Sequence, residues 1–121
     1  MKSPVITVYG IPNCDTVKKA RAWLDHHAVA YQFHDFKKQG VPADRLARWT
    51  REAGWETVLN RKGTTWRKLE PATQASVQDA DTAQALMLAQ ASVIKRPVVE
   101  WPTALTVGFD PARWAELAAA L

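Results

Sequence analysis

Two periodicities alternate at the start of the chain, and this constrains the fold more than any other feature. The run VITVY at 5–9 is β-branched and aromatic and closes on Gly10 and Pro12, which predicts a buried strand ending in a turn. Over 15–27 the pattern changes: Val17, Ala20, Leu24 and then Ala28 recur at steps of three or four, while Lys18, Lys19, Arg21 and Asp25 fall elsewhere. That predicts an amphipathic helix, with Asn13 or Asp15 available as its cap. AVAYQFHDF then alternates again, Val29, Tyr31, Phe33 and Asp35 against Ala30, Gln32 and His34, and predicts a second strand over 29–35. A strand, a crossover helix and a strand imply two parallel neighbours joined by a right-handed connection.

KKQGVP reads as a loop, after which Pro42 starts a helix carrying Leu46, Trp49, Thr50 and Ala53 up to a stop at Gly54. The middle third stays helical. Thr64 or Thr65 caps a short helix that Pro71 ends, a further short helix is expected within 72–78, and Asp81 caps a longer one over 81–90. Extended segments follow at 97–101 and 104–109, and Asp110 with Pro111 signals the N-cap and first position of a last helix. The order is βαβ, a helical insertion over about 41–92, then ββα within one domain spanning 1–121. This is the order of a thioredoxin-like α/β fold.

Composition removes several classes of function. The 121 residues, 47% of them hydrophobic, suffice for one buried core, and the net charge of +4 favours anionic ligands without requiring nucleic acid. No aromatic-basic ladder of the kind that stacks on single strands is present. The N-terminal apolar run is too short for a secretion signal, and no segment reaches the roughly 18 to 20 apolar residues of a membrane helix. A soluble, cytoplasmic protein with no membrane association is expected. His26, His27 and His34 share no metal-ligand spacing with Cys14, so no metal is expected either. Trp23, Trp49, Trp55 and Trp114 fall in helical core patterns, leaving Trp66, between Arg61 and Arg67, as the candidate wall of a pocket.

Cys14 is the only cysteine, so no internal disulfide can form. It falls just after the first strand, where the unpaired N–H groups and positive dipole end of the following helix favour a thiolate. Lys18 and Arg21, one and two turns on, can add positive charge on the same face. The alternative is a buried packing residue beside a solvated basic face. Asp15 is explained by first-turn charge complementing the dipole rather than by acid catalysis. Arg61 and Arg96, each beside a lysine, offer donor forks suited to carboxylates and oxyanions, although an arginine of this kind taken singly is more often a surface residue.

YGIPNCDTVKKARAWL, LNRKGTTWRKL and IKRPVVEW, in that order over nearly the whole chain, resemble the arsenate reductase-related ArsC/Spx family, most closely its YffB-like branch. The resemblance implies a thioredoxin-like fold with a helical insertion and a reactive cysteine at the first helix. It makes Cys14 the nucleophile, Arg61 and Arg96 its anion-binding partners with Lys18 nearby, and Pro97 a cis-proline. It also implies glutathione as a co-substrate, with no bound cofactor. Two positions depart from the arsenate reductases of the family: Gly10 stands where they carry a histidine, and VEWPTALTVGF lacks their third arginine. Regulators of the Spx type carry a CxxC switch, and here Val17 takes the second cysteine's place. The implied activity is that of a monothiol oxidoreductase whose mixed disulfide an external thiol resolves. The alternative is a regulatory module that binds the RNA polymerase alpha subunit.

Overall fold

The structure, a computed structural model, describes residues 6–121, so Val5 of the expected first strand lies outside the described residues. Strand β1 (Ile6–Gly10) leads through Cys14 into helix α1 (Asp15–His26), strand β2 (Tyr31–Asp35) and a short helix α2 (Phe36–Gln39). Five helices follow: α3 (Ala43–Ala53), α4 (Trp55–Val58), α5 (Thr64–Arg67), α6 (Pro71–Ala75) and α7 (Ala80–Ala89). After a 3-10 turn at Ala91–Val93, strands β3 (Val98–Glu100) and β4 (Leu105–Val107) lead into helix α8 (Pro111–Ala119). The chain divides into two compact units: the residues up to Gln39 with Arg96–Leu121, and Gly40–Lys95.

The first unit is a mixed four-stranded sheet in the order β2-β1-β3-β4. β1 and β2 are parallel, with Val8 opposite Phe33 and Gly10 opposite Asp35, as a crossover helix requires. β3 runs antiparallel to both β1 and β4. Alternation along the strands sends Ile6, Val8 and Val99 to one face, where Ala20 and Leu24 of α1 and Trp114 and Leu117 of α8 close over them. Trp114 is fully buried and takes edge-on contacts from Phe109, Trp101 and Trp23 at centroid distances of 4.8, 5.6 and 5.8 Å. Asp110 caps α8 by accepting a hydrogen bond from the Arg113 backbone N–H, with Pro111 in the first turn. These βαβ and ββα halves make the α/β, thioredoxin-like arrangement that the order of sequence patterns predicts.

Local chemistry shifts several boundaries. β2 starts at Tyr31 rather than at 29 because Val29 is consumed in ending α1: its N–H donates to the Leu24 carbonyl at 2.9 Å, with Ala28 left-handed at φ 55°. The expected loop after β2 begins as helix α2, since Asp35 Oδ1 accepts from the Lys37 N–H at 2.8 Å and so caps the turn. Gln39 Oε1 accepts from the Asp35 N–H in return.

In the second unit, α3 buries Leu46, Trp49 and Thr50 and ends at Gly54, whose φ of 87° is a conformation glycine adopts without strain. Gln84 of α7 donates to Thr50 Oγ1 at 2.8 Å, tying α7 to α3. Pro71 begins α6 rather than ending α5, the first helical turn being where proline's missing N–H costs nothing. Gly63, not a threonine, occupies the N-cap of α5. Asp79, not Asp81, caps α7, because Thr82 stands three residues on and completes a reciprocal capping box with it. No helix among the described residues is long and apolar enough to cross a membrane.

Candidate active site

Cys14 is itself the N-cap residue of α1, which displaces Asn13 and Asp15 from the expected capping role. Its backbone is extended, at φ −136° and ψ 125°, and its carbonyl accepts the first helical hydrogen bond, from Lys18 N at 2.9 Å. The thiol makes no capping hydrogen bond, so the sulfur stands at the positive end of a 12-residue helix without being tied into it. Cys14 is half-buried.

Sheet order explains the second component. β3 lies next to β1 and runs against it, so the residue entering β3 is carried to the end of the sheet where β1 turns into α1. That residue is Arg96. It is half-buried, and its Nη2 lies 4.0 Å from Cys14 Sγ, a long N–H···S contact that brings a guanidinium against the sulfur. The Arg96–Pro97 peptide bond is cis, and Pro97 is buried. Lys18 is exposed, and its ammonium donates to Asn13 Oδ1 at 3.4 Å, which directs it toward the residue preceding Cys14.

Arg21 does not add to this charge. Its Nε donates to the Tyr31 hydroxyl at 3.0 Å, and its guanidinium lies 4.1 Å from the Phe33 ring centroid, so β2 claims it through aromatic contacts. Helical spacing alone could not show this, because the competing rings come from another element.

Gly10 and Val17 pack against each other. A Cβ at Gly10 would lie 3.0 Å from Val17 Cγ2 and 3.5 Å from its Cγ1, and Val17 is fully buried. Glycine at the end of β1 therefore lets α1 approach closely, and the room a side chain at position 10 needs is taken by the valine.

Arg61 belongs to the second unit. It forms an exposed ion pair with Glu56, Nη2 to Oε2 at 3.2 Å, and its guanidinium lies 5.4 Å from the centroid of the Trp55 ring. The aromatic beside Arg61 is thus Trp55, half-buried on α4, rather than Trp66, which sits on α5 with its carbonyl accepting from Gln74. Within the first unit, then, the structure gathers Cys14, Arg96 and Pro97 around the start of α1. Among the described residues no cluster of three or more His, Cys, Asp or Glu is placed to hold a metal ion.

A thiol at a helix N-terminus beside a guanidinium is a place where a sulfur anion and an anionic partner are both stabilised. Comparison with known proteins agrees on the family. The ArsC family's sequence profile matches residues 9–117. A solved YffB protein is 54% identical and superposes with a TM-score of 0.88, covering 93% of this chain and 97% of its own. An arsenate reductase (ArsC) related protein from Brucella melitensis is 50% identical at a TM-score of 0.74, covering 96% of each chain. The global transcriptional regulator Spx of Streptococcus mutans is 25% identical over 88% of this chain and 77% of its own length. With the profile spanning nearly all of the described residues, from the end of β1 through α8, the chain belongs to the ArsC family.

Proposed function

We propose that the protein is a glutathione-dependent monothiol oxidoreductase with Cys14 as its nucleophile. The observation that carries this reading is the Arg96 guanidinium, 4.0 Å from a sulfur that sits at the N-cap of α1. In the first step the Cys14 thiolate attacks the sulfur of a mixed disulfide, forming a new Cys14 disulfide and expelling the other half as a thiolate. Attack on the glutathionyl side leaves Cys14 joined to glutathione and releases the substrate thiol. No second cysteine can resolve that intermediate, so a second glutathione does: its thiolate attacks the glutathionyl sulfur, Cys14 leaves as the thiolate, and oxidised glutathione departs. The net exchange converts the mixed disulfide and one reduced glutathione into the substrate thiol and oxidised glutathione.

Arg96 stabilises Cys14 both as attacking and as leaving group, and the positive end of α1 acts in the same sense. Lys18 serves as a contact for a carboxylate of glutathione. The test is intact-mass analysis after exposure to oxidised glutathione. One glutathionyl adduct that disappears with Cys14→Ser is expected, and the absence of any adduct on the folded wild type sinks the proposal.

The similarity to Spx favours a second reading, a regulatory module that binds RNA polymerase through its alpha chain. Against it, Val17 removes the CxxC switch. A pull-down with the C-terminal domain of the polymerase alpha chain separates the two: retention that survives Cys14→Ser supports the module, and no retention supports the oxidoreductase.

A further inference from the structure

Among the described residues of the first unit, the hydrogen-bonding contact of Cys14 Sγ is with Arg96 Nη2 at 4.0 Å, and neither Asp15 nor an imidazole shares it. The rest of the strand–helix join supplies no acid to the sulfur. Gly10 has no side chain, and Ile11 and Val17 are buried and apolar. A guanidinium donates hydrogen bonds but gives up no proton. The sulfur therefore has a cation beside it and no general acid among these residues.

That combination selects the leaving group. When the Cys14 thiolate attacks, the bond to the departing atom breaks and its electron pair leaves with that atom. A departing oxygen, from an oxyanion or an oxidised sulfur, needs a proton from an acid in order to leave as water. A group that is already a stable anion needs none, and a neighbouring cation assists it. Thiolates and sulfite both meet this condition. Sulfite departs from an S-sulfonate, R–S–SO3−, whose own negative charge repels an attacking thiolate. Arg96 and the positive end of α1 offset that repulsion, which a neutral disulfide does not present.

The distances agree. An S–S bond is about 2.05 Å long, so two such bonds in line, somewhat stretched, put the leaving sulfur about 4–5 Å from Cys14 Sγ. Arg96 Nη2 lies at a comparable 4.0 Å from Sγ, and its planar fork suits two oxygens of the departing group.

We propose that the preferred substrates of this site are S-sulfonates of small thiols, S-sulfoglutathione among them. The proposal rests on the reading of Cys14 as a glutathione-dependent nucleophile and names its substrate class. The Cys14 thiolate attacks the sulfenyl sulfur of S-sulfoglutathione and forms the Cys14–glutathione disulfide, while the S–SO3 bond breaks and its electron pair leaves with sulfite. A glutathione thiolate then attacks the glutathionyl sulfur, Cys14 leaves as the thiolate, and oxidised glutathione departs. One S-sulfoglutathione and one reduced glutathione thus give oxidised glutathione, sulfite and a proton.

The experiment compares two substrates that form the same Cys14–glutathione disulfide and differ in what leaves. S-sulfoglutathione releases sulfite, and the mixed disulfide of glutathione with 2-mercaptoethanol releases a thiolate with no other charge. Glutathione is the reductant, sulfite and oxidised glutathione are quantified together, and the rate with Cys14→Ser is subtracted. Wild type is expected to favour S-sulfoglutathione in kcat/KM, releasing one sulfite per oxidised glutathione. Arg96→Met lowers kcat/KM for the S-sulfonate by about ten-fold or more beyond its effect on the mixed disulfide, the worth of one charge-assisted hydrogen bond. Any change in the reactivity of the Cys14 thiolate acts on both substrates, so the ratio reports the leaving group. Mixed-disulfide turnover with no preference for the S-sulfonate, or a preference that Arg96→Met leaves unchanged, overturns this proposal and leaves the oxidoreductase reading standing. No turnover of either substrate overturns both.

Discussion

Replacing Arg96 with methionine keeps most of the side chain's apolar bulk and removes the cation 4.0 Å from Cys14 Sγ. Two unit charges at that separation interact by about 1 kcal/mol in water and about 4 kcal/mol at an effective dielectric of about 20. Because Arg96 and Cys14 are both half-buried, solvent screening places the interaction near the lower end, about 1–2 kcal/mol. At about 1.36 kcal/mol per tenfold change, an interaction of that size is worth about 5- to 30-fold in a rate that depends on negative charge at the sulfur. A less stabilised thiolate is more nucleophilic, and a Brønsted slope of about 0.4–0.5 returns roughly half of that in logarithmic terms. The net expectation is an alkylation rate about two- to six-fold slower. The assay is the second-order rate with iodoacetamide, read by intact mass at one fixed pH for all variants. Arg96→Lys retains most of the rate, and added salt narrows the gap between wild type and Arg96→Met. A folded Arg96→Met protein that alkylates as fast as wild type, or an Arg96→Lys variant that is slower still, refutes the argument that this guanidinium acts on the sulfur.

Two further predictions concern the scaffold that holds the site. Gly10→Ala places a Cβ 3.0 Å from Val17 Cγ2 and destabilises by about 1–3 kcal/mol through overpacking; in a Val17→Ala background the same change costs markedly less, and a thermal double-mutant cycle with purely additive effects refutes the contact. Hydrogen bonds from the Thr82 backbone and side chain hold the Asp79 carboxyl below its ordinary value, so the capping box stabilises the fold at pH above the ordinary Asp value of about 3.9 and loses that contribution as pH falls through the lower folded value. Asp79→Ala therefore lowers the melting midpoint at neutral pH, and its deficit against wild type shrinks in strongly acidic buffer; a deficit independent of pH contradicts the assignment.

What can be read in the sequence is what depends on near neighbours. The βαβ opening, the Asp110–Pro111 start of α8 and the placing of Cys14 at the start of α1 rest on short-range patterns that no distant residue reverses. Reading falls short where two local solutions compete. Asp79 and Asp81 can each cap α7, and Thr82 decides between them through its hydroxyl. Asp35 has the pattern of a strand end and is also the cap of α2. It falls short again where a long side chain chooses among distant partners. Arg21 is spaced to face Cys14, yet Phe33 and Tyr31 offer it rings and a hydroxyl. Trp55 resembles core and instead lies beside Arg61. Lys62 and Lys95 are visible as neighbours of the two arginines, but only the pairing of 58–60 with 93–95 brings them to one cavity.

The most direct test of the central claim is steady-state turnover of a glutathione mixed disulfide, with glutathione as reductant and formation of oxidised glutathione as the readout. The account predicts turnover by the wild-type protein, loss with Cys14→Ser, and a Cys14–glutathione disulfide trapped when reduced glutathione is withheld. Turnover that persists in Cys14→Ser, or a wild-type protein that forms the disulfide yet is never released from it by glutathione, contradicts it.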